Sequence, residues 1–312
     1  MSTTTTPAAR AARSRPDGDV LEARRLSRSF GGRTVVDDVS FTVEPGRMTG
    51  FVGANGAGKT TTMRMLMGVL RVSAGQVLWG GRPITAADRA GFGYMPEERG
   101  LYPRQAVLDQ LGHLGRLHGM TRRDALAEAT RLLERFGLAE RARDRLESLS
   151  LGNQQKVQVA AALLHGPAAL VLDEPFSGLD PVAVDAMVEL LRERTARGVP
   201  VLFSSHQLDL VDRLCDSLVI LSGGRVLAAG AVDDLRRAGP RRHRLRCEQD
   251  TGWVRGLPGV HVVDVDGPTA VLELADDRDA RHRLLEEAVR RGLVEFTEIV
   301  PALADVYREV TR

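Results

Sequence analysis

Residues 53–60 read Gly-Ala-Asn-Gly-Ala-Gly-Lys-Thr and fit the spacing G-x-x-x-x-G-K-[ST]. They lie between a short apolar run, Met48–Gly53, and an apolar-periodic stretch, Thr60–Leu70. Strand, glycine-rich turn and helix in that order constrain the fold more than any other feature of the chain. Glycines let a backbone wrap closely around phosphates. Successive N–H groups and the helix N-terminus supply partial positive charge, a lysine reaches the outer phosphates, and a hydroxyl at the next position suits Mg²⁺. Gly53, Ala54, Asn55, Gly56, Ala57, Gly58, Lys59, Thr60 and Thr61 are therefore the expected phosphate cradle. A chance glycine-rich turn would not need the apolar run before it and the helix after it.

Leu170-Val171-Leu172-Asp173-Glu174 reads as a buried strand ending in two carboxylates. At a strand's carboxyl end Asp173 can hold Mg²⁺ through water, and Glu174 just beyond it can polarise an attacking water. The plainer alternative is a turn or capping acid before Pro175.

The surrounding pattern supplies a scaffold. Segments 20–30 and 35–43 alternate apolar and polar residues, as half-exposed antiparallel strands do. Residues 75–84 suggest a hairpin around Gly80-Gly81, and 105–140 carry helical periodicity. Beyond these, helices are expected at 153–164, 182–197 and 208–215, and strands at 168–172, 199–204 and 217–221. Strands alternating with helices imply a parallel sheet with crossover helices. Past the arginine-rich stretch Arg236–Arg246, a strand at 243–248, a hairpin around Gly267-Pro268, a helix at 278–291, a strand at 294–299 and a helix at 302–310 suggest a small α+β unit. The expected organisation is a Thr/Ala/Arg/Pro-rich disordered tail over 1–18, a main α/β domain over 19–238 with a helical subdomain at about 95–165, and an accessory domain over 239–312. A length of 312 residues suits about two domains.

Composition narrows the classes. Apolar residues make up 43% and charged residues 27%, ordinary for a globular chain. The net charge of +2 gives no reason to expect nucleic-acid binding, and no nucleic-acid partner is expected. No window offers the ~20 continuous apolar residues a membrane helix needs. Cys215 and Cys247 have neither a CxxC nor a metal spacing and are expected to be reduced thiols. His113, His118, Trp79 and Trp253 are expected to be structural. Arg241–Arg246 could face lipid headgroups or form a solvated linker.

One further stretch makes the pattern specific. Residues 149–157, Leu-Ser-Leu-Gly-Asn-Gln-Gln-Lys-Val, open a helix shortly before the Asp173-Glu174 strand, with Ser150 placed as an N-cap. The stretch resembles the LSGGQ signature of ATP-binding cassette (ABC) ATPases. Ser177-Gly178-Leu179-Asp180 resembles their D-loop, His206 after strand 201–204 their switch histidine, and Phe30 the aromatic that stacks on adenine. The stretch from Gly91 to Tyr102 resembles their Q-loop region, with Glu97 at the glutamine position. These elements follow the family's order across about two-thirds of the chain.

The resemblance implies a P-loop ABC-ATPase fold with a parallel core sheet, an N-terminal antiparallel sheet and a helical subdomain. It implies ATP and Mg²⁺ as cofactors, with Thr60, Glu97 and Asp173 toward the metal and Glu174, His206 and Lys59 in catalysis. Phe30, Glu97, Ser150, Gly152, Asn153 and Asp180 join the 53–61 loop as nucleotide contacts. In the family each ATP lies between one copy's P-loop and another's signature helix, so a second copy and an integral membrane permease are the implied partners, at the cytoplasmic face of the membrane. The C-terminal sequence around Val300–Tyr307 resembles ATPase subunits of type-2 exporters. A soluble ABC ATPase of translation or DNA maintenance is the alternative; the first usually fuses two cassettes, and the second inserts long heptads that residues 61–170 lack. Leu151 and Asn153 depart from the usual signature residues, while Ser150 and Gly152 keep it.

Overall fold

A computed structural model of the chain describes residues 19–98, 100–238, 241–274 and 278–311. The tail expected over 1–18 lies outside the described residues. In chain order the elements are β1 (Leu21–Phe30), β2 (Arg33–Val43), β3 (Met48–Val52), α1 (Lys59–Leu66), β4 (Ala74–Trp79), β5 (Arg82–Pro83), α2 (Ala86–Ala90) and β6 (Phe92–Met95). There follow α3 (Val107–Leu117), α4 (Arg122–Arg135), α5 (Leu151–Leu163), β7 (Ala169–Leu172), α6 (Pro181–Thr195), β8 (Val201–Ser205), α7 (Leu208–Leu214), β9 (Ser217–Ser222), β10 (Arg225–Ala231) and α8 (Val232–Ala238). The last elements are β11 (Arg242–Cys247), β12 (Val260–Asp266), β13 (Thr269–Leu274), α9 (Arg278–Arg290), β14 (Leu293–Ile299) and α10 (Leu303–Val310).

The central sheet has the order β10-β9-β3-β8-β7-β6. The five strands from β9 to β6 run parallel, and β10 pairs antiparallel at the opposite edge from β6. The strands are short continuous apolar runs because both faces are covered. Alternate residues go to two different cores, as period-two geometry requires. Leu170 and Leu172, Val201 and Phe203, and Leu218 and Ile220 face the helical side. Ala169 and Val171, Leu202, and Val219 and Leu221 face α1 and the antiparallel sheet β2-β1-β4-β5. A third sheet, β12-β13-β11-β14, buries Leu245, Cys247, Ala270 and Leu272 against Leu284 and Ala288 of α9.

Register then positions the site. Val52 pairs with Ser205, and Leu172 with Phe203. The carboxyl ends of β3, β7 and β8 thus lie side by side, where parallel α/β sheets place their ligands.

Several expectations need correction. The helix expected to reach Leu70 ends at Leu66: Gly68 takes φ 72° and Leu70 N–H turns back to the Arg64 carbonyl. The apolar periodicity ran on past a glycine that the backbone uses as a stop. Strands β6 and β10 and helix α8 were not anticipated. Residues Arg241–Arg246 do not form a linker. They run into β11, a central strand between β13 and β14 with His243, Leu245 and Cys247 inward and Arg244 and Arg246 outward. Cys215 and Cys247 are free thiols, as expected. Trp79 packs edge-on to Phe92, and His118 stacks on His165 at 3.8 Å. Trp253 lies under the Arg291 guanidinium. Among the described residues no helix is long and apolar enough to cross a membrane.

Candidate functional site

At the carboxyl end of β3 the chain turns through 53–58 into α1 and encloses a cavity of about 200 Å³. Val35, residues 55–61, Glu97, Asp173 and Glu174 line it. Gly58 stands immediately before α1 at φ 103°, which favours glycine, and its carbonyl accepts from both the N–H and the hydroxyl of Thr62. The Lys59 ammonium is folded over the loop. Its Nζ donates to the Gly53 carbonyl at 2.6 Å and to the Ala54 carbonyl at 3.3 Å. The loop's carbonyls thereby point at the lysine, leaving its N–H groups for an anion. Thr60 Oγ1 donates to Glu97 Oε2 at 3.2 Å, bringing together two residues 37 positions apart.

Asp173 is 1% exposed. The Ser204 hydroxyl donates to its Oδ1 at 2.5 Å, while Oδ2 has no protein partner. A buried carboxylate oxygen without a donor is costly, and a cation with its water shell would satisfy it. Thr60 and Glu97 border the same cavity, so this donor set fits a hard divalent cation such as Mg²⁺. Among the described residues no group of three His, Cys, Asp or Glu could hold a metal. Such an ion would therefore depend on phosphate oxygens as well. Burial pushes the nearby Tyr94 phenol up, with the Asp173 charge adding to the effect.

Glu174 is fixed at three points. Its backbone takes φ 51°, strained for a residue with a Cβ. Its N–H donates to Ser204 Oγ at 2.7 Å, and its carbonyl accepts from Gln155 Nε2 at 2.8 Å. His206 Nδ1 lies 3.0 Å from its Oε2. A carboxylate held this way, at the rim of a phosphate-sized cavity, can accept a proton from water.

The remaining expected residues do not line this cavity. Ser150 caps α5, its hydroxyl accepting from Asn153 N–H at 3.4 Å. Gly152 abuts the Gly178 carbonyl, which would sit 2.7 Å from any Cβ there. Asp180 caps α6 by accepting from Ala183 N–H at 2.8 Å. Phe30 is 44% exposed beneath the Arg28 guanidinium. The sequence reading missed Ser204 and Gln155. A serine pair closing the buried strand at 201–205 was the available signal for the first; nothing in the run Asn153-Gln154-Gln155 singles out the second.

The family profile described as ABC transporter matches residues 36–177, and one described as the C-terminal domain of DrrA1-3-like ATP-binding proteins matches 230–311. An uncharacterized ABC transporter ATP-binding protein of Bacillus subtilis, YhaQ, is 37% identical over 93% of this chain and 98% of its own length. The Nod factor export ATP-binding protein I of Paraburkholderia xenovorans is 35% identical over 88% of this chain and 92% of its own. The linearmycin resistance ATP-binding protein LnrL of B. subtilis is 34% identical over 69% and 70%. A solved ATP-binding subunit of an ABC transporter superposes with a TM-score of 0.65 at 36% identity, over 70% of this chain and 92% of that one. Fold and cavity define a P-loop nucleotide-binding protein of the ABC architecture. The chain belongs to the ATP-binding proteins of ABC transporters, as the ATP-binding subunit.

Proposed function

We propose that this chain hydrolyses ATP as one of two copies closed around two nucleotides, and that the cycle drives export through a separate membrane permease. The observation that carries this reading is the triple fixing of Glu174 beside the phosphate-sized cavity, with His206 on its carboxylate. Loop residues 53–61 bind the phosphates, and Lys59 leaves the Gly53 and Ala54 carbonyls for the β/γ oxygens. Thr60, Glu97 and Asp173 would hold Mg²⁺, which would neutralise developing charge on the phosphates. Glu174 orients water and takes its proton, while His206 holds that carboxylate and the γ-phosphate in line.

Ser150, Gly152, Asn153 and Asp180 act on the nucleotide of the second copy. Their positions off this chain's own cavity support that reading. So do the exposed aliphatics beside them, Leu151 at 63% and Val182 at 79%. Phe30 stacks on adenine once Arg28 moves aside. Export is supported by what the relatives are named for, and a soluble role in translation or DNA maintenance has no such support. We assign residues 19–238 to the ATP-binding domain and 239–312 to the accessory domain. The chain works at the cytoplasmic face, held there by its permease.

Glu174→Gln tests the chemistry. The variant binds ATP, accumulates as a dimer by light scattering and releases no phosphate. Turnover at the level of the unsubstituted protein would remove Glu174 as the base.

A further inference from the structure

We infer that the C-terminal helix α10 is a positioning clamp for His206, acting through α7; this rests on the role proposed above for His206. Helix α10 presents Leu303, Val306, Tyr307 and Val310 at helical spacing. Leu303 is fully buried, yet it is not part of the core beneath the C-terminal sheet. It belongs to the core under the central sheet, together with Val211 and Leu214 of α7 and Val232 of α8. Tyr307 packs on the same core, and α10 touches both α7 and α8. The last helix of the chain thus leaves its own sheet to close over the ATP-binding unit.

Helix α7 begins two residues after His206. The connection is short, with Gln207 N–H donating to Ser205 Oγ at 3.0 Å. On its sheet side α7 has no slack. Val211 and Cys215 lie against Gly50 of β3 so closely that a Cβ there would meet them at 2.7 and 2.9 Å. An Arg236–Asp212 ion pair ties α7 to α8. The His206 side chain is 57% exposed, and among the described residues its one side-chain hydrogen-bond partner is Glu174. Its placement is therefore set by the backbone from Ser205 to Leu208, and so by α7. Wedged between β3 and α10, that helix follows what α10 does, because packed cores shift between discrete arrangements rather than deform smoothly.

The test compares full-length Leu303→Ala and Leu303→Met, alone and with His206→Ala. Leu303→Ala lowers kcat about ten- to hundredfold while the KM for ATP stays within about twofold, since a displaced catalytic group costs rate rather than phosphate binding. Leu303→Met restores the rate. With His206→Ala in place, Leu303→Ala lowers the rate no further. The His206 imidazole ¹⁵N signals move in Leu303→Ala whether or not the protein hydrolyses ATP. Absent turnover in the unsubstituted protein would thus sink the hydrolysis reading, and the signals would still decide this one. Tyr307→Ala, at a partly buried position, gives the same signature if Leu303→Ala does not fold. Unmoved His206 signals, or losses that add to those of His206→Ala, overturn the inference.

Discussion

Ser204→Ala removes a hydroxyl that holds the Asp173 carboxylate and the Glu174 backbone N–H at once. Ser204 is fully buried. Its O–H donates to Asp173 at 2.5 Å while its oxygen accepts the Glu174 N–H at 2.7 Å. A hydrogen bond to a charged group contributes about 1.5–3 kcal/mol, and a buried N–H left without an acceptor costs about 1 kcal/mol or more. The substitution also leaves Asp173, whose Oδ2 already lacks a protein partner, with no donor on either oxygen. The sum is a loss of about 3 kcal/mol, a large share of the roughly 5–15 kcal/mol typical of a domain. In urea that moves the unfolding midpoint by about 1 M. Glu174, held at φ 51° partly by this contact, becomes free to relax, so phosphate release falls more than ATP affinity. Ser205→Ala is the control: its hydroxyl accepts only from Gln207 N–H among the contacts of the site. A Ser204→Ala midpoint shift no larger than that of Ser205→Ala, with turnover intact, would refute the reasoning.

Lys59→Ala removes the proposed partner of the outer phosphates and also releases the Gly53 and Ala54 carbonyls. ATP affinity should fall about 30- to 100-fold, ~2–3 kcal/mol, by fluorescent-nucleotide titration; unaltered affinity would rule out the cradle. His165 supplies a pH signature. Burial first, and the neighbouring His118 second, lower it from 6.5 to about 4. The unfolded chain then takes up the proton first as pH falls, so this stability is fully present above about pH 6.5 and is lost down to about pH 4. Partial solvent access limits the effect to about 1–2 kcal/mol. Urea midpoints taken at about pH 7 and pH 5 should differ in the native protein and converge in His165→Phe; equal midpoints in the native protein would contradict it.

What the sequence made legible follows from which residues act locally. The 53–60 loop, the acidic end of β7 and the Ser150 cap are set by neighbours a few residues away, and spacing locates them; Asp180 was placed by family resemblance, and its capping of α6 comes from the structure. Ser204 and Gln155 act across 30 and 19 residues, through a strand register and a helix packing that no local pattern encodes. Strand β6 is four residues with a glycine inside it, too short for its alternation to register. The strand expected at 243–248 is β11, and its arginines suggested a linker for another reason. In a central strand with one open face, every second position meets water, so a basic composition coexists with burial of His243, Leu245 and Cys247. The helical period of 302–310 was visible in the sequence. Its docking on α7 was not, because amphipathicity shows that a face is buried and not against what.

The central claim is that each nucleotide is shared between two copies. The direct measurement is a structure of the Glu174→Gln variant with Mg-ATP. The account predicts two chains face to face, each triphosphate lying between Lys59 of one copy and Ser150 of the other. A single chain enclosing the whole triphosphate, with Ser150 turned to solvent, would contradict it.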